Sequence, residues 1–562
     1  MRIKAIPSPM RDRIDVSGAR FARMSVLVPF GIYIVHLMFF GAWIVDDAGI
    51  TFAYARSTAE GFGPVSQPGA SPVEGYSNPA WMFVMVPFLW LGMFDPVVVP
   101  KILAALLVFV TFTLLRSTIG RIANRPNQAA YIALSAIAAS PSFVIWTGSG
   151  LENSLYACGV AALVVLASTD LSSVANSART VALGLVAGVL AITRPDGVLF
   201  AVGYPALLLG GAWFSPELRI ERKMSRLLRY GAGFAAIAGS YFAFRLHFFG
   251  EYLPNTFYAK GSEMSQFDLE RVKAIVRRTF GLVWSLGGFA AVAAIPIVLL
   301  HVVLSVGRRR FALPELALFV FLALAVGVFV ILPTDWMKEY RFATPLITLF
   351  YPFATLSILA LIEAGAARRP GLPRVAALVG AAAAIHVGMT FWGRSDAFRQ
   401  HPTISFQIVR DQWALPYNQI AEEFGLVDAT AMIPDLGGTL FRCELRIIDL
   451  ANLCDHTVAR TIGTRGYEEN SPENLARFYD YVFDEVQPTF IRSHSIWTDR
   501  TRLFNDPRLE RDYYEIYREE VPSTEWLGPQ HELDYVRKDA ISEGAFEGFK
   551  KRYLALMPHL TR

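Results

Sequence analysis

Apolar runs recur along the first 392 residues and then stop. Met24–Val45 opens the series, long enough to cross a bilayer at about 1.5 Å of rise per residue. Runs of the same character follow at Val97–Leu115, Tyr131–Trp146, Leu155–Ala167, Val181–Ile192 and Val198–Trp213. Five more lie at Tyr230–Phe249, Phe280–Val306, Leu313–Leu332, Phe342–Ile362 and Val375–Phe391. Trp81–Phe94 is apolar but too short for a comfortable span, and predicts a re-entrant or shallow segment. Beyond Gly393 charged residues, Pro and Tyr interleave and no span-length run remains. There Ala431–Gly438 and Arg446–Leu450 predict short buried strands ending in turns. Ser471–Val482 predicts a helix with Ser471 as N-cap and Pro472 at its first position. The predicted fold is a polytopic α-helical membrane protein of about eleven spans, residues 1–392, followed by a soluble α/β domain, residues 393–562.

Charge orients the spans. The N-terminal segment carries Arg2, Lys4, Arg11, Arg13, Arg20 and Arg23, which places it in the cytoplasm by the positive-inside rule. Arg116–Arg125, Arg219–Arg229, Arg308–Arg310 and Arg368–Arg374 then fall on the same side if Trp81–Phe94 does not cross. The C-terminal domain is thereby expected outside. Met24–Val45 is longer than the usual apolar core of a signal peptide, and no small-x-small site precedes Asp46, so it reads as a retained span.

Hydrophobic residues make up 53% of the 562 and charged residues 18%, a membrane-protein composition. The net charge of +4 is spread over inter-span loops rather than one face, which argues against a nucleic-acid partner. No phosphate-cradling GxxxxGK[ST] motif and no dinucleotide GxGxxG after a strand is present. No HxxxH or HExxH spacing suggests zinc. Cys158 reads as a small core residue. For Cys443 and Cys454, spacing leaves both disulfide and free thiols open.

With this topology, every unusual polar cluster lands on the outer face. The densest is Asp46–Trp81, DDAGITFAYARSTAEGFGPVSQPGASPVEGYSNPAW, directly after the first span. An acid pair at a span's end must lie at the boundary or face a polar cavity. The apolar Ile50–Ala55 stretch predicts a short interfacial helix, and the Gly- and Pro-rich run to Gly75 ends it. A partly desolvated carboxylate can serve as a general base. Capping of the following helix is the structural alternative for the pair. The outer cations Arg194, Lys260, Lys338 and Arg341 are candidates to hold a phosphate, since Arg offers a planar fork and Lys a point charge. Glu74, Tyr76, Glu152 and Asn255 are candidates for substrate hydroxyls.

The stretch carrying the acid pair, YAR…GFGPV and PG…VEGYS…W resembles the first periplasmic loop of the class C (GT-C) membrane glycosyltransferases. Within that class it is similar to the terminal arabinofuranosyltransferases of mycobacterial cell-wall synthesis. It departs at Ala70-Ser71-Pro72, where the family usually has a charged residue and one residue fewer. Asp435-Leu436-Gly437-Gly438 and Asp449-Leu450…Asp455 also resemble a DxGG…DLxxLxD pattern of some members.

The resemblance implies an inverting transferase in a bacterial inner membrane. It would take a sugar, arabinofuranose before a hexose, from a polyprenyl-phosphate donor to an envelope glycan, lipid or protein. Asp46 would be the base and Asp47 would orient the site. A metal-independent site is preferred, a divalent cation between the acids and the phosphate being the alternative, and no other cofactor is expected. The rival from another class is a transporter or flippase of lipid-linked saccharides. That rival calls for charges near the midplane, whereas these spans are nearly charge-free.

Overall fold

The computed structural model describes residues 16–561 apart from 173–175, 215–221, 261–268, 310, 367–368, 463–470 and 522–529. The helices in chain order are α1 (Val16–Phe39), α2 (Asp47–Ala59), α3 (Pro79–Trp90), α4 (Val98–Gly120), α5 (Pro126–Ala139) and α6 (Pro141–Thr147). Next come α7 (Asn153–Ser172), α8 (Ser177–Thr193), α9 (Gly203–Phe214), α10 (Lys223–Phe234), α11 (Ser240–Phe248) and α12 (Asn255–Lys260). The membrane part closes with α13 (Leu269–Ser285), α14 (Phe289–Arg308), α15 (Leu313–Ile331), α16 (Thr344–Ala366) and α17 (Leu372–Gln400).

Among the described residues, seven helices are long and apolar enough to cross a membrane. The pair α5 and α6, bent by 67°, makes an eighth. Pro141 starts α6, and Ser140 before it is extended, as a residue preceding proline prefers. The shorter α8 and the 195–211 stretch are apolar as well, and the 223–248 path, interrupted by a π-turn at Ala235–Gly239, carries the expected run at Tyr230–Phe249. The chain is a multi-pass membrane protein. Helix α3 has only 12 residues, the short segment that the apolar pattern predicts at Trp81–Phe94. One expected span differs. Gly287 and Gly288 both have positive φ, 143° and 59°, and split Phe280–Val306 between α13 and α14.

Polar contacts between helices gather at two ends. At one, the Val45 amide donates to the Ser149 carbonyl, Asn153 to the Arg341 carbonyl, and Arg194 pairs with Glu152. At the other, Arg121 donates to Thr169, Asn124 to Glu363, and Arg226 pairs with Asp170. This is the alternation expected from the basic loops.

Helix α17 continues to Gln400, and the C-terminal domain follows from there. It begins with α18 (Phe406–Val409) and α19 (Leu415–Phe424), then β1 (Thr430–Ile433), α20 (Gly437–Arg442) and β2 (Arg446–Asp449). Strands β3 (Phe490–Ser493), β4 (Tyr513–Val521) and β5 (Gln530–Arg537) complete a five-stranded sheet in the order β2-β1-β3-β5-β4. Strand β1 pairs parallel with both β2 and β3, so the chain reverses its direction across the sheet at β1. The predicted helix is Pro472–Asp480, with the Ser471 side chain accepting from the Asn474 amide.

Helix α2 is more enclosed than an interfacial helix. Nine of its 13 residues, from Ala48 to Ala55 and Ser57, are buried. It lies between α3 and α20, and its backbone approaches α20 so closely that a Cβ on Gly49 would collide with the Gly437 carbonyl. Glycine at both positions is a condition of that contact.

Two outcomes follow. Gly49→Val should loosen α20 from α2, at about 1–3 kcal/mol for overpacking, and speed proteolytic cleavage near 401–405 in detergent. Unchanged cleavage and melting would mean that the contact does not hold the C-terminal domain. The second concerns Asp449, whose carboxyl is pushed up to about 7 by burial, against the pull of the Cys454, Ala451 and Leu453 amides. Its folded value lies above the ordinary ~4, so its contribution is complete below about pH 4 and is lost as pH climbs through about 7. The melting temperature should fall between pH 5 and 8, and Asp449→Asn should flatten that slope. An identical slope in the variant would refute the assignment.

Candidate functional site

The acid pair sits where the membrane helices meet the C-terminal domain. Asp46 precedes α2 but makes no side-chain cap bond to it. Instead Oδ2 accepts the Gly437 amide at 2.9 Å and Oδ1 the Gly438 amide at 2.7 Å. The Asp46 amide donates to the Ile404 carbonyl, so the backbone here is tied to the C-terminal domain as well. Asp46 is 6% exposed. Burial, then the nearby Asp435 charge, hold its carboxyl well above the ordinary range despite the two glycine amides. Asp435 goes the other way. Its burial is outweighed by His494, 2.8 Å away, and by Arg492. Asp435 and His494 follow β1 and β3, outside the carboxyl ends of two adjacent parallel strands at the sheet's reversal point, where open α/β sheets commonly place ligands.

Asp47 points elsewhere. Its side chain is 34% exposed and lies 3.5 Å from the Arg341 guanidinium, which also pairs with Asp335 at 2.9 Å. The loop carrying Arg341 is strained, with Glu339 and Tyr340 both left-handed at φ 67° and 51°. Such backbone persists only where the surroundings over-determine it. Here the Trp146 indole donates to the Lys338 and Glu339 carbonyls, and Arg394 pairs with the Glu339 carboxylate.

Arg341 lines a cavity of about 760 Å³. Its walls combine the cations Arg278, Lys338, Arg341 and Arg394 with Phe280, Trp284, Phe329 and Phe342. Phe280 and Trp284 are 63% and 38% exposed among the helices, so one side of the cavity opens where lipid would lie. Asp335 and Glu339 are its acidic residues, leaving an excess of positive charge. The site can hold an anion with an apolar tail beside a carboxylate.

Of the phosphate candidates, the structure places Arg341 and Lys338 here, with Lys338 exposed and donating to the His401 carbonyl. Arg194 does not line the cavity. Its guanidinium is bound by Glu152 and Asp196 and stacks on Phe342. The Lys260 side chain lies outside the described residues. Arg278 and Arg394 are cavity residues that the sequence reading missed. Arg278 donates to the Phe329, Val330, Leu332 and Pro333 carbonyls, and both arginines flank apolar runs at their outer ends, the signal that could have found them.

The four residues expected at substrate hydroxyls are all engaged by protein. Glu74 binds Tyr241 and Arg245, and Tyr76 shares a hydrogen bond with Tyr241. Glu152 accepts from Asn78 as well as Arg194. Asn255 donates to the Asn452, Leu453 and Asp455 carbonyls. A second cavity, about 420 Å³, lies between the glycine loop and the C-terminal domain and presents Gln67, Arg446, Asp449, Asp455, His456 and Tyr481. All three cysteines are free thiols. Among the described residues, no three His, Cys, Asp or Glu side chains are grouped to hold a metal ion.

No protein-family model matches the chain, and no curated protein sequence matches it. Solved structures do. ArnT from Cupriavidus metallidurans bound to undecaprenyl phosphate aligns at TM-score 0.55 and 14% identity, over 94% of this chain and 99% of that one. The same protein in the apo state aligns at TM-score 0.52 and 14% identity, over 92% and 98%. The archaeal oligosaccharyltransferase AglB from Archaeoglobus fulgidus, in complex with an inhibitory peptide and a dolichol-phosphate, aligns at TM-score 0.56 and 11% identity, over 92% and 74%. At such identities the likeness is one of architecture: the chain has the GT-C fold of membrane glycosyltransferases, with apolar helices and a sheet-containing C-terminal domain.

Proposed function

We propose that this protein transfers a sugar from a polyprenyl-phosphate donor to an acceptor on the outer face of a bacterial inner membrane. The observation that carries the reading is the contact of Asp47, the neighbour of the buried Asp46, with Arg341 on the wall of a cationic, aromatic cavity. The fold adds support, because its likenesses include structures with undecaprenyl phosphate and dolichol-phosphate. Arabinofuranose is the favoured sugar, on the resemblance of the Asp46–Trp81 stretch.

In this mechanism the donor's phosphate lies against Arg341, with Lys338 and Arg394 adding charge and Trp284 and Phe280 receiving the lipid. Asp46 takes the proton of the acceptor hydroxyl as the new glycosidic bond forms. The bond from the anomeric carbon to the phosphate oxygen breaks with inversion, and the basic residues stabilise the departing lipid phosphate. Burial beside Asp435 makes Asp46 the stronger base, whereas Asp47 shares its charge with Arg341. Each Asp46 oxygen accepts one amide and retains a further lone pair. Asp47 positions Arg341 and, through it, the donor. The acceptor glycan, lipid or protein approaches from the C-terminal domain, where the 420 Å³ cavity offers groups for sugar hydroxyls.

Arg341→Ala should weaken undecaprenyl-phosphate binding by about 10–100-fold, the loss of a charge-assisted hydrogen bond. Equal affinity in equilibrium binding would move the phosphate elsewhere. Asp46→Asn should bind donor normally and transfer sugar at least ~100-fold more slowly. Asparagine also turns an NH₂ toward one glycine amide, so proteolysis should be followed to separate undocking from lost basicity. Normal turnover by Asp46→Asn with Asp47→Asn inactive would place the base one residue along. Normal turnover by both would sink the mechanism.

A further inference from the structure

A third cavity, about 370 Å³, lies at the far end of α2 from the acid pair. Arg56 stands about 14 Å along the helix from Asp47 at ~1.5 Å per residue. The cavity shares no residue with the one around Arg341. Its cationic wall is Arg56 and Arg442, whose guanidiniums sit 5.4 and 5.1 Å from the centroid of one ring, Phe441. Arg56 donates to the Phe441 and Leu440 carbonyls, at 2.8 and 3.1 Å, which leaves three of its five N–H groups.

Among the described residues, neither arginine is in an ion pair with a carboxylate. Glu60, on the cavity wall, is the acid that acts on Arg56. Burial holds Arg56 below its ordinary value, with Glu60 opposing the shift and the like charge of Arg442 adding to it. Two guanidiniums converging on one ring without a paired anion make an unfavourable arrangement that a bound phosphate would relieve.

The opposite wall is apolar and exposed. Leu89, Trp90 and Phe94 line it, and Trp90 is 74% exposed. Leu91 and Met93 beside it are 59% and 67% exposed. A tryptophan at the end of a short apolar helix suits the headgroup level of a membrane, where its ring is half wet. Arginine forks above an apolar rim match a phosphate that carries acyl or prenyl chains.

We propose that this pocket binds the phosphate of an anionic lipid from the leaflet on the acid-pair side, as a site separate from the donor cavity. The shared chemistry is a lipid phosphate, either the phosphodiester of a phospholipid or the monoester of a polyprenyl carrier. The site is independent of the transfer reaction, so it stands even if that reading fails.

The test is native mass spectrometry of the full-length, delipidated protein titrated separately with phosphatidylglycerol and undecaprenyl phosphate. Wild type should retain one more phosphatidylglycerol than the Arg56→Gln/Arg442→Gln double variant, with affinity at that site falling roughly tenfold or more. Arg341→Ala should keep this lipid. Arg56→Gln removes two carbonyl contacts and could disturb α20, so Arg442→Gln is made alone, where the Arg56 contacts remain, and should also weaken retention. Loss of one undecaprenyl phosphate, rather than phosphatidylglycerol, in both pocket variants but not in Arg341→Ala would support a second carrier site. Equal retention of both lipids by wild type and both pocket variants overturns the proposal.

Discussion

The joint between the two parts of this molecule is a buried carboxylate received by two backbone amides. Asp46 ends the first span, and its oxygens meet Gly437 and Gly438 at the start of a helix in the C-terminal domain. A carboxylate out of water is costly unless its hydrogen bonds are replaced. Moving the C-terminal domain would leave Asp46 buried and unpaired or admit water to the α2–α20 contact. The two glycines follow from the same constraint. A Cβ on Gly437 would strike the Asp46 carbonyl, and a Cβ on Gly49 would strike Gly437. The residue nearest the proposed chemistry therefore also fixes where the second domain sits.

A second constraint acts on the facing loop. Arg341 is drawn from one side by Asp335 and from the other by Asp47, and the two residues before it are left-handed. Neither Glu339 nor Tyr340 adopts that backbone cheaply. The Trp146 indole on α6 holds the Lys338 and Glu339 carbonyls, and α6 exists as a separate helix because Pro141 breaks the span at Ser140. A proline inside a membrane passage thus sets the position of a guanidinium at the end of the bundle. The link runs from sequence to kink to loop geometry to charge placement.

The span pattern was legible because hydropathy and loop charge report on it independently. The apolar runs and the basic loops agree with the two ends at which Arg121–Thr169 and Arg194–Glu152 contacts gather. Asp46 and Asp47 stood out for the same reason: carboxylates at a span's end need an explanation. What the chain did not disclose is which polar residues satisfy one another. Glu74, Tyr76, Glu152, Arg194 and Asn255 looked like site residues on the same grounds as Asp47 and Arg341. Each finds a partner in a segment far away in sequence, such as Arg245 for Glu74, Glu152 for Arg194 and the 452–455 carbonyls for Asn255, and only Arg194 has a local one as well, Asp196. Long-range pairing leaves no local signature. The glycine pair at 437–438 read as a tight turn for want of the knowledge that Asp46 would meet it.

That distinction sorts the charges of the acid-pair end by how fully they are balanced. Arg194 lies between Glu152 and Asp196, and Arg245 is forked onto Glu74, so each has a carboxylate in a buried setting and little left to offer. Around the large cavity the balance is incomplete. Arg278 is bound to carbonyls rather than to a carboxylate, and Lys338 is exposed on a carbonyl. Two acids, Asp335 and Glu339, stand against four cations there. Satisfied pairs hold the fold rigid, whereas surplus charge beside an apolar opening is where an anionic lipid gains most, because the field is already in place before it arrives. The same reasoning singles out Arg56 and Arg442. By charge balance, the phosphate-binding capacity of this end of the molecule lies where cations outnumber carboxylates, around Arg341 in the large cavity and at the Arg56–Arg442 pair.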